Sequence, residues 1–378
     1  MKKTFALILI LVLLLAIPTC MAHAEESKRL KIGYTFWDLP IAGIVIDGAN
    51  QIKLAAEALD VDLVFNPSMD LTAEGIIAAA EDFVTSGVDG LIVVNFSEAS
   101  MVTIGNVCAA NGVPFIQAYR TLEDPDISAQ LEANPYYIGR VHEDEYTAAY
   151  DLARKLADTG AKKVCMFSSN HGDTTYETRA QAYRDACEEF GMELLIEQWD
   201  IPDDATATET IVNVLNAYPE IDGILTVKCN FVPYIVTAEE QVGISDWLPI
   251  VGVDFDTTLG ENITNGQITA VAGGHQADGA FALTMLVNAI RGAYTEDQYP
   301  FDVLNNMMTI EGIEEYEEYC KWSIGYEEDF YNRQNLNMDE IRNLCVTYNP
   351  DTTIDDIKAM AANMSLEDVK TRHAGLVD

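Results

Sequence analysis

The sequence predicts an α/β protein made of two similar lobes, each a parallel sheet flanked by helices. Three observations predict it. Short apolar runs alternate with helical patterns along most of the chain. Runs such as Leu91-Ile92-Val93-Val94 lack polar alternation, which suits strands covered on both faces. The rhythm breaks once, at Thr121–Tyr137, "TLEDPDISAQLEANPYY", whose acids and proline read as an irregular divider between two α/β sets.

The first set opens with a strand at Lys31–Thr35 and a helix starting near Ile41. A second strand, Val61–Phe65, precedes a helix near Leu71–Ser86 whose Ile76, Ile77, Ala80, Phe83 and Val84 share one face. "VDGLIVVN" and a helix at about Glu98–Ala110 follow, then the strand "VPFIQAY". The second set alternates in the same way. Its helices are expected at Asp144–Asp158, Tyr176–Phe190, Ala205–Ala217 and Phe231–Gln241, and its strands at Lys163–Ser168, Glu193–Gln198, "DGILTV" and "LPIVGVD". A short helix, the strand "QITAVA" and a long helix, Gln276–Arg291, complete it. From Tyr294 to Asp378 the chain carries a strand candidate, "NNMMTI", an acidic and aromatic stretch, and two helical patterns.

Composition narrows the function. A formal charge of −39 on 378 residues repels phosphate, which excludes nucleic acid and an anionic membrane surface as partners. Lys2 and Lys3, the apolar run Phe5–Ile17 and the Ala22-His23-Ala24 cleavage signal make residues 1–24 a signal peptide, so the mature protein is expected to be exported. The sequence ahead of Cys20 departs from a lipid-anchor motif, so cleavage after Ala24 is favoured over a lipid anchor at Cys20. None of the remaining cysteines forms a CxxC pair; Cys320 and Cys345 in the tail leave a disulfide open. There is no phosphate-binding loop, GxGxxG, GxSxG or HExxH, so no catalytic residue, metal or cofactor is expected, and "HEDE" at His142–Glu145 reads as a solvated helix start.

In open α/β sheets a ligand lies against the carboxyl ends of the strands. Here those ends carry planar and polar side chains where a plain reversal would use Gly, Asn or Ser. They are Phe36, Trp37 and Asp38, then Asn95, Tyr119-Arg120, Lys228 and Asp254.

The stretches "KIGYTFWDLPIAGIVIDGA", "TSGVDGLIVVNFSEAS", "ANGVPFIQAYR", "YPEIDGILTV" and "PIVGVDFDTTLGENITNGQITAVAG", in that order, resemble the type I periplasmic binding proteins, in their ribose-binding, simple-sugar branch. The resemblance covers about Leu30–Gly292. It implies two Rossmann-like lobes joined by three hinge crossings, closing over one small ligand that is handed to an ABC permease. On that reading residues 30–120 and about 254–273, with part of the tail, form the N-terminal lobe. About 136–253 with part of 274–300 form the other, and about 300–378 is an extension packed on the lobes. Asn95, Arg120 and Asp254 match binding positions of the family by type. Tyr119 stands where an acid is expected and Lys228 where an asparagine is usual. Arg179 lies two residues from the expected arginine position, and Gly274 replaces a glutamine beside His275. These departures remove ribose as the expected ligand.

A sugar presents a C–H face and a hydroxyl rim, so its site needs aromatic planes and fixed donors and acceptors. Phe36, Trp37, Tyr119 and Tyr176 are the expected planes; Asp38, Asn95, Arg120, Lys228 and Asp254 the expected rim, with Arg179 and His275 nearby. The alternatives are structural: Trp37 anchoring the first helix, Asp38 capping it, Arg120 and Asp254 in interlobe ion pairs. A ligand of about 12 heavy atoms bound at micromolar strength needs about −0.7 kcal/mol per atom, within reach of non-covalent contacts. The function expected is therefore a monomeric solute receptor for a sugar or polyol, serving an ABC permease. The alternative is a ligand-sensing partner of a chemoreceptor or sensor kinase. A lactose-repressor-type regulator is excluded by the leader, which stands where that class has a helix-turn-helix.

Overall fold

The computed structural model describes residues 29–376, apart from 39–42, 69, 71, 203–205, 257 and 325–333. The leader, Cys20 and the loop around Pro40 lie outside the described residues. Strands β1 (Lys31–Tyr34), β2 (Asp62–Phe65), β3 (Gly90–Val93), β4 (Phe115–Ala118), β5 (Tyr137–Glu143) and β11 (Phe301–Asn305) form one sheet, in the order β11-β5-β4-β3-β1-β2. Its paired strands all run parallel. Strands β6 (Lys163–Phe167), β7 (Glu193–Gln198), β8 (Gly223–Thr226), β9 (Ile250–Val253), β10 (Ala270–Gly273) and β12 (Met308–Ile310) form the other, ordered β12-β10-β9-β8-β6-β7, with β12 antiparallel to β10.

The two sheets have the same internal order, as the repeated sequence pattern predicts. Strands β3, β4, β8, β9 and β10 are buried throughout, the condition their unbroken apolar runs imply. The helix Ala73–Thr85 shows the local logic. Thr72 Oγ1 accepts from the Gly75 amide at 3.1 Å, and Ile76, Ala80, Phe83 and Val84 are buried together beneath the first sheet.

The chain passes between the sheets three times: after β5, after β10, and between β11 and β12. The lobe boundaries differ from the sequence expectation in several places. Residues 137–143, expected in the second lobe, form β5 and pair with β4 in the first sheet, and residues 301–310, expected in the extension, supply β11 to the first sheet and β12 to the second. Residues 254–273, expected in the first lobe, belong to the second, because β10 pairs with β9, Ala272 facing Val253. The helix Asp278–Ile290 was expected in part in the second lobe but packs on the first, against β3, β4, β5 and the helix Gly43–Leu59. Repetition marks the units and cannot say which sheet receives them; hydrogen-bond pairing does.

The divider is less irregular than expected. Asp124 caps the amides of Asp126 and Ile127, and Pro125 starts a helix through Glu132. The strand β5 follows, with Arg140 and His142 on its partly exposed face, which hid its apolar pattern. His142 is therefore not a solvated helix start: its side chain is 13% exposed and its Nε2 lies 2.7 Å from Asp302 Oδ1. Against the cost of burial, His142 and Arg140 hold the Asp302 carboxyl well below the usual range. In the tail, "NNMMTI" divides into the end of β11, a crossing and β12. Helices Ile313–Ser323, Met338–Asn343, Ile354–Ala362 and Leu366–His373 follow. Cys320 and Cys345 are free thiols. No described helix is long and apolar enough to cross a membrane.

Candidate functional site

The carboxyl ends of both sheets face one cavity between the lobes, about 180 Å³ in volume. Of the residues expected there, Phe36, Trp37, Tyr119, Arg120, Tyr176, Arg179, Lys228, Asp254 and His275 line it. Two do not. Asp38 is exposed and pairs with Lys53 at 2.6 Å, outside the cavity lining. Asn95 is buried behind the wall, its Oδ1 accepting from Gln117 Nε2 at 2.7 Å. The next residue, Phe96, faces the cavity in its place.

The first lobe supplies an aromatic shelf. Phe36 and Trp37 stack at 5.2 Å with 20° between their planes, and Trp37 continues onto Phe96 at 6.4 Å and 14°. Trp37 is both cavity wall and anchor: it is 5% exposed and its Nε1 donates to Ser68 O at 2.6 Å. Tyr119 closes the shelf 6.1 Å from Phe36. Its φ is +65°, costly for a bulky residue, and its hydroxyl holds it there by donating to Gln276 O and accepting from the Gly279 amide. Asp254, across the cavity, has φ +74°. Both strained residues sit where a strand ends against the cavity.

The polar wall is an ion network. Arg179, rising from the helix Thr174–Phe190, grips Glu145 with Nε and Nη2 at 2.6 and 3.0 Å, Val227 O at 2.7 Å and Asp254 at 3.2 Å. His275 Nε2 approaches Asp254 at 3.4 Å. Burial pushes the Asp254 carboxyl up, but Arg179 and His275 outweigh it and hold it below its ordinary value. Asp254 thus pairs within its own lobe. Arg120 is the interlobe partner: its Nη1 meets Asp173 of the second lobe at 3.2 Å while its plane lies 4.5 Å over Phe96. Beside it, Thr174 donates to Glu98 across the cleft at 2.7 Å. Both contacts join the lobes.

Sequence reasoning missed Phe96, Glu145, Thr175, Asn230 and the Asp173 latch. Phe96 and Asn230 follow strands already singled out, three residues past the end of β3 and four past the end of β8, so their signal was the same strand-end position a little further along the chain. Glu145 and Asp173 had no such signal, because both read as helix-starting acids. One test separates inside from outside. Asp38→Ala should change ligand affinity and unfolding free energy by less than about 0.5 kcal/mol, since the pair it breaks is exposed. Isothermal titration and urea unfolding would check it.

Two sheet-based lobes with a cavity lined by rings and charged groups between their strand ends are the layout of a small-molecule binding site. The chain belongs to the periplasmic binding protein domain family, whose model matches residues 35–293. Solved structures agree in fold. A solute-binding protein of an ABC transporter from Bacillus halodurans C-125, with bound myo-inositol, is 20% identical with a TM-score of 0.66, over 78% of this chain and 98% of that one. A periplasmic counterpart from Actinobacillus succinogenes 130z, with bound D-allose, is 19% identical with a TM-score of 0.66, over 77% and 100%. Another, from Burkholderia graminis C4D1M in complex with D-arabinose, is 16% identical with a TM-score of 0.66, over 76% and 96%.

Proposed function

We propose that this protein is an exported, monomeric receptor that captures a sugar or related polyol between its lobes and delivers it to an ABC permease. One observation carries the choice of ligand. Arg120 Nε, Thr175 Oγ1 and His275 Nδ1 are buried, belong to residues lining the cavity, and have no hydrogen-bond partner among the described residues. Leaving each unpaired costs about 1–3 kcal/mol, and a hydroxyl-rich guest can pair with all three. The stacked Phe36, Trp37 and Phe96 offer the apolar plane that a sugar's C–H face requires. The sugars and inositol bound by proteins of the same fold support the same chemistry. In this reading Phe36, Trp37, Tyr119 and Tyr176 pack on the ligand. Arg120, Lys228, Asp254 and His275 bond its rim, while Arg179 fixes Asp254 and Glu145 and meets the ligand through them.

Thermal unfolding against myo-inositol, allose, arabinose, galactose and nucleosides tests the proposal. A true ligand at 100 times its Kd should add about 2.7 kcal/mol of stability. Stabilisation by no sugar or polyol, with stabilisation by amino acids or peptides instead, would overturn it.

A further inference from the structure

The C-terminal extension touches both lobes, and its contacts are of two kinds. To the first lobe it is bound by paired hydrogen bonds. Gln51 exchanges two with the backbone of Leu336, at 2.9 and 3.0 Å. Arg342 donates to Ala58 O at 3.2 Å, and Asn288 holds Leu344 O and the Val346 amide at 2.9 and 3.0 Å. To the second lobe it is bound by two rings of the helix Ile313–Ser323. Tyr319 meets Phe255 edge-on at 4.8 Å. Tyr316 lies so close to Gly260 that a Cβ there would stand 2.3 Å from its ring. The Tyr316 phenol is pushed up by burial, by its bond to Cys320, and by Asp47 of the first lobe and Asp256 of the second.

The extension is also fastened to two of the three crossings. Asn335 donates to Gly274 O, and Gln276 donates to Tyr319 OH at 3.1 Å. Asn306, between β11 and β12, donates its amide to Ala361 O at 3.1 Å and its side chain to Met364 O at 2.9 Å. His373 and Arg372 bind its parts into one unit. His373 lies 3.2 Å from both Trp322 O and Glu340, and Arg372 donates to Asn335 O at 3.0 Å.

From this juxtaposition we propose that the extension is a strap across one flank of the cleft, anchored on the first lobe and gripping the second, which restrains opening there. It rests on the reading of the protein as a closing receptor. The strap joins the β1 and β9 sides, whereas the Arg120–Asp173 and Glu98–Thr174 contacts lie at β4, β3 and β6. The latter are side-chain contacts that water can replace, so they yield before the strap does. The strap also slows ligand exchange, because full opening requires Tyr316 and Tyr319 to leave the second lobe.

The test needs no ligand. Small-angle scattering and amide hydrogen exchange would be measured on the ligand-free full chain and on Tyr316→Ala, whose ring is half-buried, with Tyr316→Phe as the conservative control. The Ala variant should have a larger radius of gyration and at least tenfold faster exchange in the helix Leu259–Thr264, at unchanged helix content. The Phe variant should match the parent. If Tyr316→Ala is folded and both profiles coincide with the parent's, the strap is refuted while the receptor reading stands. Should Tyr316→Ala fail to fold, Asn306→Ala, which frees a crossing from the extension, must give the same expansion or the proposal fails.

Discussion

Replacing Arg120 by alanine should weaken ligand binding about 100-fold, close to 3 kcal/mol. Two losses add. The ligand forfeits a charge-assisted hydrogen bond from the orphaned Nε, a contact of about 1.5–3 kcal/mol. The closed form also loses the pair with Asp173, whose side chains are only 15% and 10% exposed, and leaves that carboxylate buried alone. In the open form both groups are free to meet water, so the cost falls on closure and hence on affinity. Unfolding of the ligand-free protein should change less. Asp173→Asn should cost about tenfold, because the amide still caps the Thr175 amide but no longer offers a charge to Arg120. Arg120→Lys should recover little, since an ammonium lacks the planar fork that stacks on Phe96 while reaching two partners. Titration calorimetry with a sugar found by the thermal screen would decide, and an unchanged Kd in Arg120→Ala would remove the residue from the site.

Glu143→Gln should flatten the pH dependence of stability above about pH 4.5. At the hinge Glu143 ends β5, Asp278 begins the helix Asp278–Ile290 and Asn305 ends β11, so each crossing contributes one buried polar side chain. Asn305 donates to Asp278 Oδ1 at 2.5 Å, and both Glu143 oxygens are buried. Burial first, then the neighbouring Asp278 and Glu145 carboxylates, raise Glu143 well above its ordinary 4.5; Arg179 opposes them without prevailing. Burial raises Asp278 too, against His275, His142 and the Asn305 amide. One proton shared by Glu143 and Asp278 removes the conflict of two like charges.

The native state therefore binds a proton that the unfolded chain releases near pH 4.5. Its contribution is fully present below that value and is lost as pH rises through the raised native value, by up to about 1.4 kcal/mol per pH unit. Glutamine keeps the size and the donor and has no proton to lose. Urea unfolding of both proteins from pH 4.5 to 9 would show their difference in stability growing in favour of the variant. The comparison cancels the self-repulsion of a chain with charge −39, which acts on both alike. A difference independent of pH would mean that no proton is held there.

The lobes were legible because each unit has to bury its own apolar face locally. Leu91–Val94 can only be a doubly covered strand, and the Ile76–Val84 face can only be one side of a helix. The cavity wall was legible for the same reason: a strand's carboxyl end must point toward the crevice, which placed Phe36, Arg120, Lys228 and Asp254 in one hollow though they are distant in sequence. β5 and β11 were not legible, since Arg140, His142 and Asp302 on their exposed side broke the apolar run.

The sequence by itself determined the repeated strand–helix units, the enrichment of rings and charges at the strand ends, and the family. Each of these is written in residues that are neighbours along the chain or recur at a fixed spacing. Tertiary structure alone decided that β10 joins the second sheet and the helix after it the first, and that Asp173 reaches Arg120 from the opposite lobe. It alone brought Glu143, Asp278 and Asn305 together from three crossings, and laid Tyr316 and Tyr319 across to Gly260 and Phe255. Those side-chain contacts join residues 27 to 162 positions apart, and their energy depends on burial that no local pattern records.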